Sequence, residues 1–383
     1  MKKIMTVYGT RPEAIKVAPI IKALEASEKF ESIAVVTGQH REMLDQVNEL
    51  FGIEPVEDLN IMSQGQTLNG IVARVIEGID SVYEKYQPDA VIVQGDTSTV
   101  MGAAVAAFNR EIPVVHLEAG LRSGDIHSPF PEEANRKITS QITALHLAPT
   151  AESKENLLRE DLPEENIVVT GNSVIDALFE TVRKDIKFSD SQLENLVASG
   201  QPIVLVTTHR RENWGKPMEQ IGAAVAELAH KYPDHQFVFP AHKNPLVRQA
   251  VLPYLEGLNN VLVIEPLAYA EFTHLIKSAH IVLTDSGGVQ EEAPSLGKPV
   301  LVMRENTERP EAVEAGTVSL IGTDTERIVD EVSYLIDSKD HYDSMANAVN
   351  PYGDGKAAER TVAALEEFFG LGNRIQDFNP NDN

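Results

Sequence analysis

The chain has 383 residues, with 33 Lys and Arg against 58 Asp and Glu, a formal net charge of −25 with histidine neutral. That balance argues against nucleic acid and against an anionic membrane surface as partners, because both need a basic footprint. A content of 42% hydrophobic and 24% charged residues excludes a wholly disordered or fibrous chain, and the absence of cysteine removes disulfides, thiolate nucleophiles and cysteine-bound zinc.

From the N-terminus, a short apolar run breaks to polar residues at Gly9-Thr10-Arg11, which reads as a first strand and not as a signal peptide. No later apolar run approaches the roughly 18 to 20 residues needed to span a bilayer, and a cysteine-free chain fits a cytoplasmic setting. Short β-branched runs then alternate with helical stretches, which predicts an α/β class with parallel sheets and crossover helices. In the first half, strands are predicted at Lys3–Tyr8, Ser32–Thr37, Ala90–Gln94, Val114–Leu117, His146–Pro149 and Ile167–Thr170. In the second they are predicted at Ile203–Thr207, Gln236–Phe239, Val261–Ile264, Ile281–Thr284, Val300–Met303 and Val318–Ile321. Residues 179–200 between them are polar and offer no strand. The expected division is a first doubly wound domain over 1–172, a linker over 173–200 and a second doubly wound domain over 201–355, with a ligand cleft between the domains. A Gly- and Pro-rich turn over 351–355 leads to an amphipathic helix within 356–372, and 373–383 are expected to form a flexible tail.

Open α/β sheets bind ligands at the carboxyl ends of their strands, so the polar residues there carry the functional reading. After the first strand comes Gly9-Thr10-Arg11-Pro12-Glu13-Ala14-Ile15-Lys16, with Pro12 suited to the first helical position and the two basic residues bracketing a turn whose amides favour an anion. The pair fits a phosphate or a sugar hydroxyl; equally, Gly9 makes a tight turn and the basic side chains are solvated. Ala90–Gln94 ends in Gly95-Asp96-Thr97-Ser98, so that Asp96 and Glu118 place two carboxylates at consecutive strand ends; the plainer alternative makes Asp96 the N-cap of a helix over Thr97–Asn109. Glu118 closes the next apolar strand and needs a partner or a function. A loop over 121–130 with Arg122, Asp125 and His127 follows, and then a helix in which Glu132 and Arg136 are spaced for an ordinary surface ion pair.

In the second half, Val204–Thr208 runs into His209-Arg210-Arg211-Glu212-Asn213. His209 suits acid/base chemistry, since an unperturbed imidazole has a pKa of about 6.5. A structural histidine is the alternative, and the strand-end position before two arginines favours function. The pattern recurs in Pro240-Ala241-His242-Lys243-Asn244. The segment from Asp285 to Pro299 is the strongest: Ser286, Gly287 and Gly288 let backbone amides approach a phosphate at a helix start, and Glu291 and Glu292 stand one turn further in. A glycine-rich turn feeding a short helix that stops at Pro294 accounts for the glycines but not for the glutamates, so a nucleotide site is favoured.

GxGxxG after the first strand, GxxxxGK[ST], HExxH and GxSxG are all missing, which weakens dinucleotide oxidoreductase, P-loop, zincin and α/β-hydrolase readings. No Asp-x-Asp pair offers a metal to a diphosphate and the histidines lack ligand spacing, so neither metal nor cofactor is expected. Taken together, GTRPEAIK, QGDTS, HLEAGLRSGD, PFPEEANR, THRREN, TDSGGVQEEAPSLGKP and ENTERPEAV resemble the non-hydrolysing UDP-N-acetylglucosamine 2-epimerases, from Lys3 to about Phe369.

The resemblance implies a GT-B architecture of two Rossmann-like lobes, with the last helix crossing back to the first. It implies acid/base roles for Asp96, Glu118, Glu132 and His209, basic contacts from Arg11, Lys16, Arg136 and Arg210, Phe272 near the uracil, Ser286, Gly287 and Gly288 on the diphosphate, Glu292 on the ribose, and Arg309. Leu267 stands where relatives can carry a glutamine near the uracil. Gln39, Gln66, Glu132, Arg210 and His242 resemble an activator site for a second substrate molecule, although Gly65 stands where some activated relatives have an arginine. The implied reaction is reversible inversion at carbon 2 of UDP-N-acetylglucosamine, giving UDP-N-acetylmannosamine by anti elimination of UDP to 2-acetamidoglucal and re-addition, in a homodimer that feeds cell-surface polysaccharide synthesis. The competing readings are a hydrolysing relative that releases UDP and N-acetylmannosamine, a GT-B glycosyltransferase, and a non-catalytic nucleotide-sugar sensor.

Overall fold

A computed structural model describes residues 1–38, 41–61, 65–307 and 309–382, the side chains of 41–43 excepted. The first apolar run becomes β1 (Lys2–Tyr8), and α1 (Arg11–Glu25) returns the chain to β2 (Phe30–Val36). Then come α2 (Arg41–Phe51), β3 (Glu57–Asp58), α3 (Leu68–Tyr86), β4 (Ala90–Gln94), α4 (Ser98–Asn109) and β5 (Val114–Leu117). They are followed by α5 (Glu132–Ile142), β6 (Leu145–Ala148), α6 (Ala151–Leu158), β7 (Ile167–Val169) and α7 (Ser173–Thr181). These strands pair in parallel in the order β3-β2-β1-β4-β5-β6-β7. Helices cover both faces of such a sheet, which is why its central strands are continuous apolar runs; every residue of β4 is buried. Met5, Val7 and Val93 of the sheet join Val75 and Ile79 of α3 and Ala104 of α4 in one apolar core.

The expected linker over 173–200 contains α7 and α8 (Ser191–Ser199). Beyond it lie β8 (Ile203–Thr207), α9 (Lys216–Lys231), β9 (Gln236–Pro240), α10 (Pro245–Leu255), β10 (Val261–Ile264) and α11 (Tyr269–Ser278). The remainder is β11 (Ile281–Thr284), α12 (Gly287–Ser295), β12 (Val300–Val302), α13 (Pro310–Glu314), β13 (Val318–Leu320), α14 (Thr325–Asp337) and α15 (Lys339–Ala346). This second parallel sheet has the order β10-β9-β8-β11-β12-β13. Phe237 and Phe239 of β9 pack with Ile221 and Leu228 of α9, Val251 of α10 and Ile328 of α14. The class is α/β with two doubly wound sheets, as the alternation of runs predicts.

The compact units are residues Met1–Ala177 with Tyr352–Asn383, and Leu178–Pro351. The final helix, α16 (Ala357–Phe368), lies in the first unit against α1, and Phe369 beyond it meets Phe30 with ring centroids 6.4 Å apart. Asp176 of α7 caps α16 by accepting from the amides of Ala357 at 3.2 Å and Ala358 at 2.9 Å, and burial pushes its carboxyl up to about 6. Within the expected flexible tail, Phe378 is 5% exposed and its amide donates to the Val169 carbonyl at 2.7 Å. Among the described residues, no helix is long and apolar enough to cross a membrane.

One ion-pair cluster braces the loop after β5. Arg122 forks onto Glu160 at 2.8 and 2.7 Å, and Lys137 joins at 2.9 Å. The Arg122 hydrogen bonds, with help from Lys137, hold the Glu160 carboxyl down at about 2, below its ordinary 4.5. Because the folded value is the lower one, this stabilisation is complete above the unfolded value and is lost as pH falls through the folded one. Moving from about pH 6 to about pH 3 is therefore expected to lower the urea midpoint more for the wild type than for Glu160→Gln, and equal losses would refute the assignment.

Candidate functional site

In each sheet the chain reverses its winding once, between β1 and β4 and between β8 and β11, and at such switch points the loops at the strand ends diverge. In the first unit, a Cβ at Gly9 would lie 2.0 Å from Thr37 Oγ1, so only glycine lets the chain leave β1 beside the end of β2. Thr10 then caps α1 in a capping box with Glu13. The Glu13 carboxylate is 3% exposed and accepts from the amides of Gly9 at 2.6 Å and Thr10 at 2.9 Å and from the Thr97 hydroxyl at 2.6 Å. It ties the loop after β1 to the loop after β4, and burial raises its carboxyl. Sequence reasoning did not single out Glu13; the Thr-x-x-Glu spacing was the available signal. Arg11 opens α1 half-buried, and Lys16 stands on the same helix.

The plainer alternative for Asp96, an N-cap role, is not the one the structure realises. Thr97 caps α4, accepting from the Val100 amide at 3.3 Å, and the Asp96 side chain turns to Arg136, which donates from Nε at 2.9 Å and Nη2 at 2.6 Å. The plain surface-pair alternative for Glu132 and Arg136 is not realised either: Arg136 reaches Glu133 at 3.0 Å, one turn back on the buried face of α5 where Glu133 is 0% exposed, while Glu132 is half-buried. Burial works against the Arg136 charge, but Asp96 and Glu133 outweigh it and hold the guanidinium above its ordinary value.

Glu118, just past β5, takes a left-handed conformation with φ +64°, a cost of about 1 to 3 kcal/mol for a non-glycine residue that its surroundings must offset. Its carboxylate is held by Lys16 and Gln94, with Asn172 Nδ2 at 3.4 Å. Gln94 and Asn172 are partners the sequence did not announce. Nearby, buried His116 donates from Nε2 to the Gly95 carbonyl at 2.7 Å, and burial lowers its pKa to about 4, so it stays neutral. Asp96, Glu118, Lys16 and Arg136 are thus brought to neighbouring strand ends of one sheet.

In the second unit, Asp285 follows β11 and is 0% exposed. It gathers the segment after β8, with the His209 and Arg210 amides both at 3.0 Å from Oδ2 and the His209 ring facing its carboxylate. Partial desolvation of the His209 ring, whose side chain is still 41% exposed, lowers its pKa against the pull of Asp285 and so favours the neutral imidazole. At the start of α12, Ser286 supplies no side-chain cap, and a Cβ at Gly287 would lie 2.6 Å from Arg309 Nη1 and 3.2 Å from Arg210 Nη2. Two guanidinium groups therefore converge on a helix N-terminus, where amides and macrodipole already favour an anion. Arg309 is steered there by Glu291, 2.6 Å from its Nε.

Gly288 lies within the first turn of α12, Glu292 one turn further along its buried face, and the helix continues through Pro294 to Ser295. Phe272 is half-buried on α11, and Leu267 precedes that helix. Of the activator residues, His242 stacks near His209 with ring centroids 5.7 Å apart, Gln66 accepts from Arg74, and Gln39 lies outside the described residues. Among the described residues, no group of three or more His, Asp or Glu is placed to hold a metal ion.

A family model described as UDP-N-acetylglucosamine 2-epimerase matches residues 22–366. A curated UDP-N-acetylglucosamine 2-epimerase of Escherichia coli K12 is 50% identical over 95% of this chain and 98% of its own length. A UDP-GlcNAc 2-epimerase of Neisseria meningitidis, solved bound to UDP-GlcNAc, is 47% identical with a TM-score of 0.86 over 95% of this chain and 100% of that one. An S. aureus protein solved with UDP is 46% identical with a TM-score of 0.88, covering 99% of this chain and 100% of that one. Matched from the last turn of α1 to the last turn of α16, the chain belongs to the UDP-N-acetylglucosamine 2-epimerase family.

Proposed function

We propose that the chain interconverts UDP-N-acetylglucosamine and UDP-N-acetylmannosamine by inversion at carbon 2. The observation that carries the reading is the pairing of chemistries at the two switch points. Carboxylates set by cations stand in the first unit, and two arginines stand over a helix N-terminus in the second. Proton chemistry is proposed for the carboxylates of the first unit, and binding of a diphosphate for the arginines of the second.

The carbon 2 proton of the sugar is not acidic, so its removal alone is unfavourable. Cleavage of the bond between carbon 1 and the diphosphate oxygen, before or with proton loss, solves this. The bonding pair leaves with UDP, the proton passes to a protein base, and the electrons of the C–H bond become the double bond of 2-acetamidoglucal. Protonation at carbon 2 from the opposite face and attack of UDP oxygen at carbon 1 restore the bond with inverted configuration and no net redox change. Arg210, Arg309 and the first amides of α12 support the charge that develops on the departing diphosphate. Asp96, Glu118 and Glu132, with neutral His209, are the groups proposed to give and take the proton on the two faces.

Incubation with UDP-N-acetylglucosamine in deuterium oxide, followed by proton NMR, tests the reading. The expected result is UDP-N-acetylmannosamine carrying deuterium at carbon 2 with little free UDP. Stoichiometric UDP with free N-acetylmannosamine would instead identify hydrolysis, and an unchanged spectrum would refute catalysis.

A further inference from the structure

The geometry points to Asp285 as the positioning residue of His209, holding the ring with Nδ1–H toward its carboxylate and Nε2 presented to substrate; this rests on the acid/base role proposed for His209. Asp285 is 0% exposed and sits where β11 ends beside β8, with Thr284 paired to Thr207. Its Oδ2 accepts from the Thr208 hydroxyl at 2.8 Å, the Arg210 amide at 3.0 Å and Asn213 Nδ2 at 3.0 Å. The His209 amide lies 3.0 Å from Oδ2 and 3.1 Å from Oδ1. Each of these neighbours offers a hydrogen to the carboxylate, and the His209 ring presents Nδ1 to the same group, 3.4 Å from Oδ1. An imidazole nitrogen facing an acceptor carries the proton, which leaves Nε2 with the lone pair.

At 3.4 Å the contact exceeds the roughly 2.7 to 3.2 Å of a formed N–H···O bond, so in the neutral ring it orients more than it binds. Uptake of a proton at Nε2 makes Nδ1–H a charge-assisted donor, and the contact then gains strength at the moment the reaction places charge on the ring. The groups that face His209 divide clearly. Burial, Arg210 and His242 disfavour the imidazolium, and Asp285 opposes them. The backbone bonds from the same carboxylate to His209 and Arg210 fix where the ring starts. A substituted asparagine would keep the shape but must present NH2 on one side, either to the Thr208, Arg210 and Asn213 donors or to His209.

The test uses the full chain with 15N-labelled histidine, the His209 signals being assigned by their loss in His209→Gln. The wild type is expected to show His209 as the Nδ1–H tautomer. Asp285→Asn is expected to shift it toward Nε2–H, to move the acidic limb of the kcat profile to lower pH, and to lower kcat by about 10- to 100-fold. An Nε2–H tautomer in the wild type overturns the inference without any variant, so a poorly folding Asp285→Asn does not shelter it. A lower kcat with tautomer and pH profile unmoved would mean a purely structural role and overturns it too. Thr208→Val removes one donor but leaves the carboxylate, and is expected to keep the Nδ1–H form; a switch there would assign the tautomer to loop packing and overturn the inference. Wild-type turnover in His209→Gln would instead strike the role proposed for His209 itself, which separates that failure from the others.

Discussion

Asp96→Asn is expected to lower kcat by about 100- to 10,000-fold while leaving the folded chain close to wild-type stability. The two halves of that expectation come from the same contact. Arg136 donates to one oxygen of Asp96, Oδ2, from both Nε and Nη2. An asparagine can place its carbonyl oxygen there, keep both hydrogen bonds and leave Arg136 its second partner, Glu133. The backbone is held independently, because the Asp96 carbonyl accepts from Asn135 Nδ2 at 2.9 Å. What the substitution removes is negative charge and a site that can take a proton, at a position where the side chain is still 26% exposed and open to a ligand. Initial rates of UDP-N-acetylmannosamine formation, with exchange of the carbon 2 proton for solvent deuterium measured alongside, check the first half, and the urea midpoint checks the second. Turnover within about threefold of wild type would remove Asp96 from proton transfer.

Why Asp96 misleads as a sequence shows which parts of the site are readable. Aspartate and threonine both cap helices, and Gly95-Asp96-Thr97-Ser98 contains both; the choice is made by Arg136, 40 positions away on another helix. The strands themselves were legible where the runs are apolar and bounded by turn residues, as at Ala90–Gln94, Val114–Leu117 and Ile281–Thr284. β3 was not, because Glu57 and Asp58 pair with β2 through backbone alone and carry no alternation of polarity. Strand-end chemistry was legible in kind, since parallel sheets expose ligand groups at that edge whatever the ligand. The buried carboxylates that organise the edge were not. Thr-x-x-Glu marks Glu13 as a capping-box residue, but no local pattern announces its reach to Thr97 across 84 positions or that of Asp285 to Asn213 across 72.

Gly120→Ala is the substitution expected to damage the fold most, at about 3 kcal/mol or more from backbone strain and overpacking together. Gly120 has φ +91°, and an added Cβ would lie 2.1 Å from the carbonyl oxygen and 2.7 Å from the carbonyl carbon of Ser153. Those atoms are backbone in the first turn of α6, where Thr150 caps the helix and accepts from the Ser153 amide at 3.2 Å. Moving them breaks the cap or pushes α6 off β7, so no flexible side chain can absorb the collision. Gly124 in the same loop separates strain from collision: its φ is +82°, but an added Cβ meets nothing within 4 Å. Gly124→Ala is therefore expected to cost only the conformational penalty, about 1 kcal/mol. Denaturant midpoints of the two variants should differ widely, and similar midpoints would show that α6 yields to the methyl group. The consequence reaches the site, because Gly120 lies two residues after Glu118 and the Asn156 side chain of α6 donates to its carbonyl at 3.0 Å. A displaced α6 carries the left-handed turn at Glu118 away from Lys16, so Gly120→Ala should lose turnover at denaturant concentrations where most of its secondary structure remains, whereas Gly124→Ala should lose both together.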